Sequence, residues 1–272
     1  MDIVTPIEFS EAIDQWLARV TLPTGLDSAT IKQQISAAIR RQSVFSAETM
    51  MEGYLDRIQS TLASVIQPKQ ELRTDETGAT KTVITGHNPA TAREALRNAL
   101  RSEGYRPAED IKGTIKDLSS DARLNLVVKT NTDLAQGAGK YVQSNLDEDV
   151  IELYPAWELV RYEKRSTPRD WEQRWRIAAQ VAGDAQANAC LGLYGRMCAL
   201  KSSEIWEQLG EGAGGYTDTL DNPYPPFAFN SGMWTDDVSR DDAQSLGLLE
   251  EGDQVKPKIL DIAKLFGLGG ES

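Results

Sequence analysis

PAWELVRYEKRSTPRDWEQRW, from Pro155 to Trp175, is where the chain changes character. After Pro155, Trp157 to Tyr162 reads as a strand. Thr167-Pro168-Arg169-Asp170 reads as a capping box, opening a helix that carries Trp171, Trp175 and Ala178. Two stretches continue the pattern. In ALKSSEIWEQL (Ala199 to Leu209), Ser202 or Ser203 caps a short helix, and NPYPPFAFNSGMWTDDVSR (Asn222 to Arg240) is proline-rich and extended as far as Met233. Ser239-Arg240-Asp241-Asp242 caps a last short turn ending at Gly247. Five of the six tryptophans (Trp157, Trp171, Trp175, Trp206 and Trp234) fall in this half, which therefore reads as a small irregular domain held by aromatic anchors.

Upstream, helical spacing dominates. Thr5-Pro6-Ile7-Glu8 caps a first helix with Phe9, Ala12, Ile13, Trp16 and Leu17 on one face. A second begins near Asp27 or Ser28 with Ile31, Ile35, Ala38 and Ile39. Ser46 opens a third, with Met50, Met51, Tyr54, Leu55, Ile58, Leu62 and Ile66 as its core side. The polar interruption from Pro68 to Asn88, turning at Thr74 to Gly78, suits a hairpin or a loop. Asn88-Pro89 starts a fourth helix, closed by Gly104, and Ser119 or Ser120 caps the longest pattern, with Leu124, Val127, Val128, Asn131, Leu134, Ala135, Ala138 and Tyr141 on one stripe. The spacing of Ile259, Leu260, Ile262, Ala263 and Phe266 suits one more amphipathic helix. The fold class expected is mainly α: a helical N-terminal region (1–118), a smaller irregular α+β domain with its long leading helix (119–249), and a tail (250–272).

Composition is that of an ordinary globular chain of 272 residues, 40% hydrophobic and 26% charged. No apolar run approaches the roughly 20 residues of a membrane helix, and MDIVTPIEF lacks a basic and then apolar leader, so neither a membrane segment nor a secretory signal is expected. Cys190 and Cys198 are read as reduced thiols. The net charge of -12 is uneven: residues 184–272 hold 15 acidic and 6 basic side chains, whereas Arg161, Lys164, Arg165, Arg169, Arg174 and Arg176 cluster within 151–183. An acidic chain repels polyphosphate at long range, which argues against autonomous duplex binding. The local basic patch leaves contact with nucleic acid or an acidic partner open, beside the plainer reading of a solvated helix face.

Chemistry-bearing patterns are sparse. The lone His87 lies in a polar turn with no nucleophile and orienting group to complete a triad, and two cysteines with one distant histidine do not make a zinc site. Gly210 to Gly215 satisfies GxGxxG, but it follows a helix and carries Glu211, so it reads as a connection. Gly137-Ala138-Gly139-Lys140 lacks the first glycine and the hydroxyl of a phosphate loop. The pairs Asp236/Asp237 and Asp241/Asp242 suit helix starts better than a cation. No catalytic residue, metal ligand or cofactor is expected. A cation-dependent hydrolase using the paired aspartates ranks last.

The order of three stretches resembles the Mu F-like head morphogenesis family, the minor head proteins of tailed bacteriophages: ARLNLVVKTNTDLAQGAGKY (Ala122 to Tyr141), AWELVRYEKRSTPRDW (Ala156 to Trp171) and NPYPPFAFNSGM (Asn222 to Met233). SVFSAET (Ser43 to Thr49) is similar to the start of the N-terminal helices in some members. Lys129-Thr130-Asn131 stands where the family has Arg-Thr-Glu, the histidine after the Arg-Pro turn is replaced, and the closing Gly-x-x-Cys-Arg-Cys pattern is absent, so no metal or cysteine role carries over. The resemblance implies a non-enzymatic virion protein made in a bacterial host's cytoplasm, placed at the portal or head interior, acting in head assembly or DNA packaging and ejection. Portal and capsid proteins are the implied partners, with packaged double-stranded DNA open through the basic patch. A head–tail connector or neck adaptor is the alternative. The contact surface it points to comprises Arg161, Arg165, Arg169, Trp171 and the Pro225–Met233 segment, with Pro225, Pro226, Phe227, Phe229 and Met233.

Overall fold

The computed structural model describes residues 18–36, 39–40, 43–66, 69–74, 80–85, 87–146 and 148–256. Helices dominate and the sheets are small. The chain divides into two compact units at Gln136/Gly137, inside the long helix, whereas the sequence placed the boundary at 118/119. The expected first helix and the amphipathic tail helix lie outside the described residues.

In the first unit β1 (Val20–Thr21) pairs in parallel with β2 (Ser43–Val44). Helix α1 (Ser28–Gln34) starts at Asp27, whose carboxylate accepts from Thr30 N, and stops at Ile35, where the backbone turns extended. The expected stripe therefore ends early, and Ile39 is exposed. Helix α2 (Glu52–Ile66) begins six residues after Ser46. Ala47 and Glu48 form a turn, with Glu48 at a φ of 60°, and the Thr24–Thr49 bridge follows it, so the helix cannot start at Ser46. Met50, expected in the core, is consequently 66% exposed, whereas Tyr54, Leu55, Ile58 and Leu62 are buried.

The 68–88 interruption contains an antiparallel hairpin of β3 (Lys69–Thr74) and β4 (Thr80–Thr85). Helix α3 (Pro89–Ser102) has the expected Asn88 cap, completed by Thr91, and buries Ala92, Leu96 and Leu100. Helix α4 (Asp121–Leu146) is capped by Ser120, whose Oγ accepts from Arg123 N at 3.1 Å. Leu124 and Val128 complete the core formed by α2 and α3. Asn131 satisfies itself on Val127 O at 2.8 Å, so the stripe tolerates it.

The second unit is built on a three-stranded antiparallel sheet in the order β6-β5-β7, with β5 Ala156–Arg161, β6 Cys198–Leu200 and β7 Met233–Val238. Helix α5 (Glu148–Leu153) precedes β5. Helices α6 (Trp171–Ala182) and α7 (Ala185–Tyr194) lie between β5 and β6, α8 (Ile205–Glu211) follows β6, and α9 (Arg240–Ser245) follows β7. The cap of α6 is Asp170, accepting from Gln173 N, three residues later than the Thr167 expected. Ser203 accepts from Ile205 N at the start of α8, and Ser239 caps α9 as expected.

One sheet face carries Trp157, which packs on Tyr141 and Trp206; Trp206 also meets Trp175 and Phe227. The other face covers Ala156, Cys198 and Val238 with Cys190, Ala243, Leu248 and Leu249. Both cysteines are free and buried there, and burial raises both thiol pKa values above the ordinary range.

Gly137 and Gly139 do not end α4. Gly137 allows the backbone of Pro225 to approach, and a Cβ there would collide with the Pro225 carbonyl. Gly137→Ala is expected to destabilise the chain by about 1–3 kcal/mol, against the gain alanine ordinarily brings to a helix. A denaturation midpoint unchanged or raised would show that this contact is not made.

Candidate interaction surface

Two of the arginines singled out in the sequence, Arg165 and Arg169, converge on one turn of the second unit. The Arg169 guanidinium donates to the carbonyls of Phe229 (2.7 Å) and Asn230 (3.4 Å) and pairs with Asp218. Arg165 Nε donates to Asn230 O at 2.9 Å, and its other nitrogen reaches Glu163 at 2.7 Å. Arg161 donates to Arg169 O at 3.2 Å. Arg174 donates twice to Asp218, at 2.9 and 3.1 Å, and lies over the rings of Tyr216 (4.0 Å) and Trp171 (5.1 Å). The turn needs these donors, because Phe227 (φ 55°) and Asn230 (φ 50°) take the left-handed conformation that costs a non-glycine residue about 1–3 kcal/mol.

This rearranges the expected contact surface. Trp171, Pro225, Pro226, Phe227 and Met233 are buried within the unit, filling its own core. Of the Pro225–Met233 segment, Phe229, at 40% exposure, and Asn230 face outward. Arg165 and Arg169 work inward as clamps. Arg161, Tyr162, Lys164, Phe229 and Asn230 are among the side chains presented to solvent at this edge. Lys164 escaped the sequence choice because nothing in the pattern separates an exposed cation from a structural one.

Asp218, also missed, is the hub. Burial raises its carboxyl pKa, but the Arg174 hydrogen bonds and the charges of Arg174 and Arg169 outweigh that and hold it below the ordinary carboxylate range. The folded value lies under the unfolded one. This stabilisation is therefore complete above about pH 4 and is lost as pH falls through the folded value. Asp218→Ala is expected to cost about 2–3 kcal/mol at neutral pH, since it strands a nearly buried guanidinium. The deficit relative to the parent should shrink in acid, and a pH-independent deficit in urea titrations would contradict the assignment.

The aspartate pair does not converge. Asp236 and Asp237 are neighbours on β7 and point to opposite sheet faces. Asp236 accepts from the Tyr162 hydroxyl at 2.5 Å. Asp237 accepts from Trp157 Nε1 at 2.9 Å and lies 2.9 Å from Lys201 Nζ and 3.5 Å from Lys140 Nζ. Lys201 is only 1% exposed, and burial lowers its ammonium pKa. Asp241 and Asp242 occupy the first turn of α9. Among the described residues no group of three or more His, Cys, Asp or Glu side chains is placed to hold a metal ion.

The glycine-rich segment is likewise committed to structure. Gly210 is inside α8, Gly212 is its left-handed cap, and Ala213 N returns to Gln208 O, so those amides are not turned toward a phosphate. Gly137 to Lys140 is inside α4. No helix among the described residues is long and apolar enough to cross a membrane. Comparison with family models, curated proteins and solved structures finds no match to this chain.

Proposed function

We propose that the chain is a structural protein of a tailed-phage particle, a minor head protein associated with the portal and capsid interior that acts in head assembly or in DNA packaging and ejection. One observation supports this reading. The end of the first stretch that resembles the Mu F-like family (Gly137 to Tyr141) and the other two stretches, distant in sequence, pack together in the second unit. Tyr141 of the first meets Trp157 of the second at 5.9 Å and Tyr224 of the third at 5.7 Å, and Arg169 of the second clamps Phe229 of the third.

The test is a tagged chain expressed with the neighbouring virion genes, followed by purification of assembled particles and quantitative mass spectrometry. Recovery at low copy number with portal and capsid protein is the expected result. A chain left free of particles would remove the reading. Reversing Arg165 or Arg169 is a poor probe of the contact surface, because either change would release the 227–230 turn. Lys164→Glu leaves those clamps in place and is expected to reduce recovery with the particle while circular dichroism is unchanged.

A further inference from the structure

One end of the β6-β5-β7 sheet exposes two cations that no carboxylate among the described residues clamps and the other exposes a group of carboxylates, and each displays apolar side chains. At one end β5 finishes at Arg161 opposite Met233. Here Arg161 and Lys164 are exposed near the turn that presents Phe229. Phe229 is fixed by its own backbone, its N–H donating to Asp218 O at 2.9 Å and its carbonyl held by Arg169. Its ring is thus offered to solvent on a rigid support, which lowers the entropy lost on binding.

At the other end Ala156 pairs with Val238, and the chain arrives through Leu153 and Tyr154, 62% and 44% exposed. Arg240 ties three acidic segments together there, donating to Glu152 O (2.9 Å), to the Glu152 carboxylate (2.7 Å) and to Asp253 O (2.9 Å). Those segments expose Glu148, Asp241, Glu250, Glu251 and Asp253. Five residue steps along β5 separate the two ends by about 17 Å.

We propose that this unit binds a second copy of the chain head to tail, the Phe229–Lys164 end of one protomer against the Leu153–Tyr154 end of the next. Charge complementarity carries the choice of occupant. A foreign acidic protein or a nucleic acid would engage only the basic end, whereas a second copy matches both and buries an exposed aromatic ring among exposed apolar side chains at each contact. The chain's net charge of -12 opposes indiscriminate aggregation. Because the two patches differ, the contact is heterologous, and it propagates into a ring or a filament instead of stopping at a symmetric dimer. The inference does not depend on the virion reading.

Light scattering coupled to size exclusion tests it on the full chain. At about 0.05 M salt the mass should be a multiple of the 30.0 kDa protomer, falling to the protomer at roughly 1 M salt, where charges are screened within about 3 Å. Lys164→Glu/Phe229→Asp removes one end and Leu153→Lys/Glu251→Lys the other. Each variant should be monomeric, with circular dichroism like the parent's. Mixed in equal amounts, they retain one good end each and should form a dimer that grows no further. A parent that stays monomeric at low salt overturns the proposal, as does a mixture that stays monomeric. Oligomers insensitive to both variants overturn it too. Binding of a fluorescent duplex or of polyglutamate by a monomeric parent would assign the basic end to a foreign polyanion instead. A closed ring of fixed size would support head-to-tail contact and favour a connector over a low-copy head protein.

Discussion

Trp206→Ala is expected to lower the stability of the chain by about 3–5 kcal/mol. Trp206 is fully buried and joins three other rings: Trp157 at 5.5 Å and Trp175 at 5.4 Å, both edge-on, and Phe227 stacked at 6.0 Å. Its indole N–H donates to Leu200 O at 2.9 Å, so truncation opens a cavity and also removes one of that carbonyl's two donors, Ser203 N remaining at 3.0 Å. The loss should appear as a lower urea midpoint followed by circular dichroism, which the remaining tryptophans do not confuse. Trp206→Phe keeps part of the packing but not the hydrogen bond and should fall between. A loss below about 1 kcal/mol would mean that the rings do not share one core.

The second large effect is expected at Asp237. The Asp237→Ala variant leaves the Lys201 ammonium, 1% exposed, against the Trp157 ring (5.6 Å) with its carboxylate gone. Breaking a buried pair from one side costs about 3–5 kcal/mol; about 3 is expected here, because Asp237 keeps a third of its side-chain surface in water. Burial places the folded pKa of Lys201 below its unfolded value. The folded state then sheds this proton first, and stability contributed at Lys201 rises with pH between the folded value and about 10.4. The variant's deficit should therefore shrink as pH is raised.

Asp237 behaves in the opposite sense. Burial alone would raise its carboxyl pKa, yet Lys201 and Lys140 hold it low, so its contribution is complete above about pH 4 and disappears as pH falls through the folded value. Lys201→Met combined with Asp237→Asn removes both charges while keeping an acceptor for Trp157 Nε1, and should be closer to the parent than Asp237→Ala. A double variant no better than the single one would show that the cost is packing and not charge.

Elements with their own signals were legible. Asn88-Pro89 announces α3, and the stripe from Leu124 to Tyr141 announces α4 through its glycines. Helix α7 was not, since AQANACLGLY is apolar all round and shows no face. Strand β6 is three residues long, too short for an alternation to register. In β7 Met233, Thr235 and Asp237 share one face, where the first two are buried and the acid at the third defeats the apolar alternation. That acid makes sense only beside Lys201, which lies 36 residues away and looks like any surface lysine in ALKSSE.

The candidate surface failed to read for the same reason. Arg169 and Arg174 look like free charge until Asp218 is seen opposite them, and YTDTL gives no hint that its acid is a hub. The proline-rich stretch suggested an extended docking arm because prolines and aromatics describe both an arm and a folded turn. Its interior position is decided by long-range partners, among them Gly137 and Trp206.

The two thiols shut between α7 and the sheet give this protein a clock. With Cys190 and Cys198 fully covered and their thiolates disfavoured, a disulfide reagent reaches them only in molecules whose α7–sheet face has momentarily parted. When reclosing outruns the reagent, the labelling rate counts the fraction of time spent ajar. The same chain, timed at low and at high protein concentration, would then report whether self-association holds this half of the molecule shut.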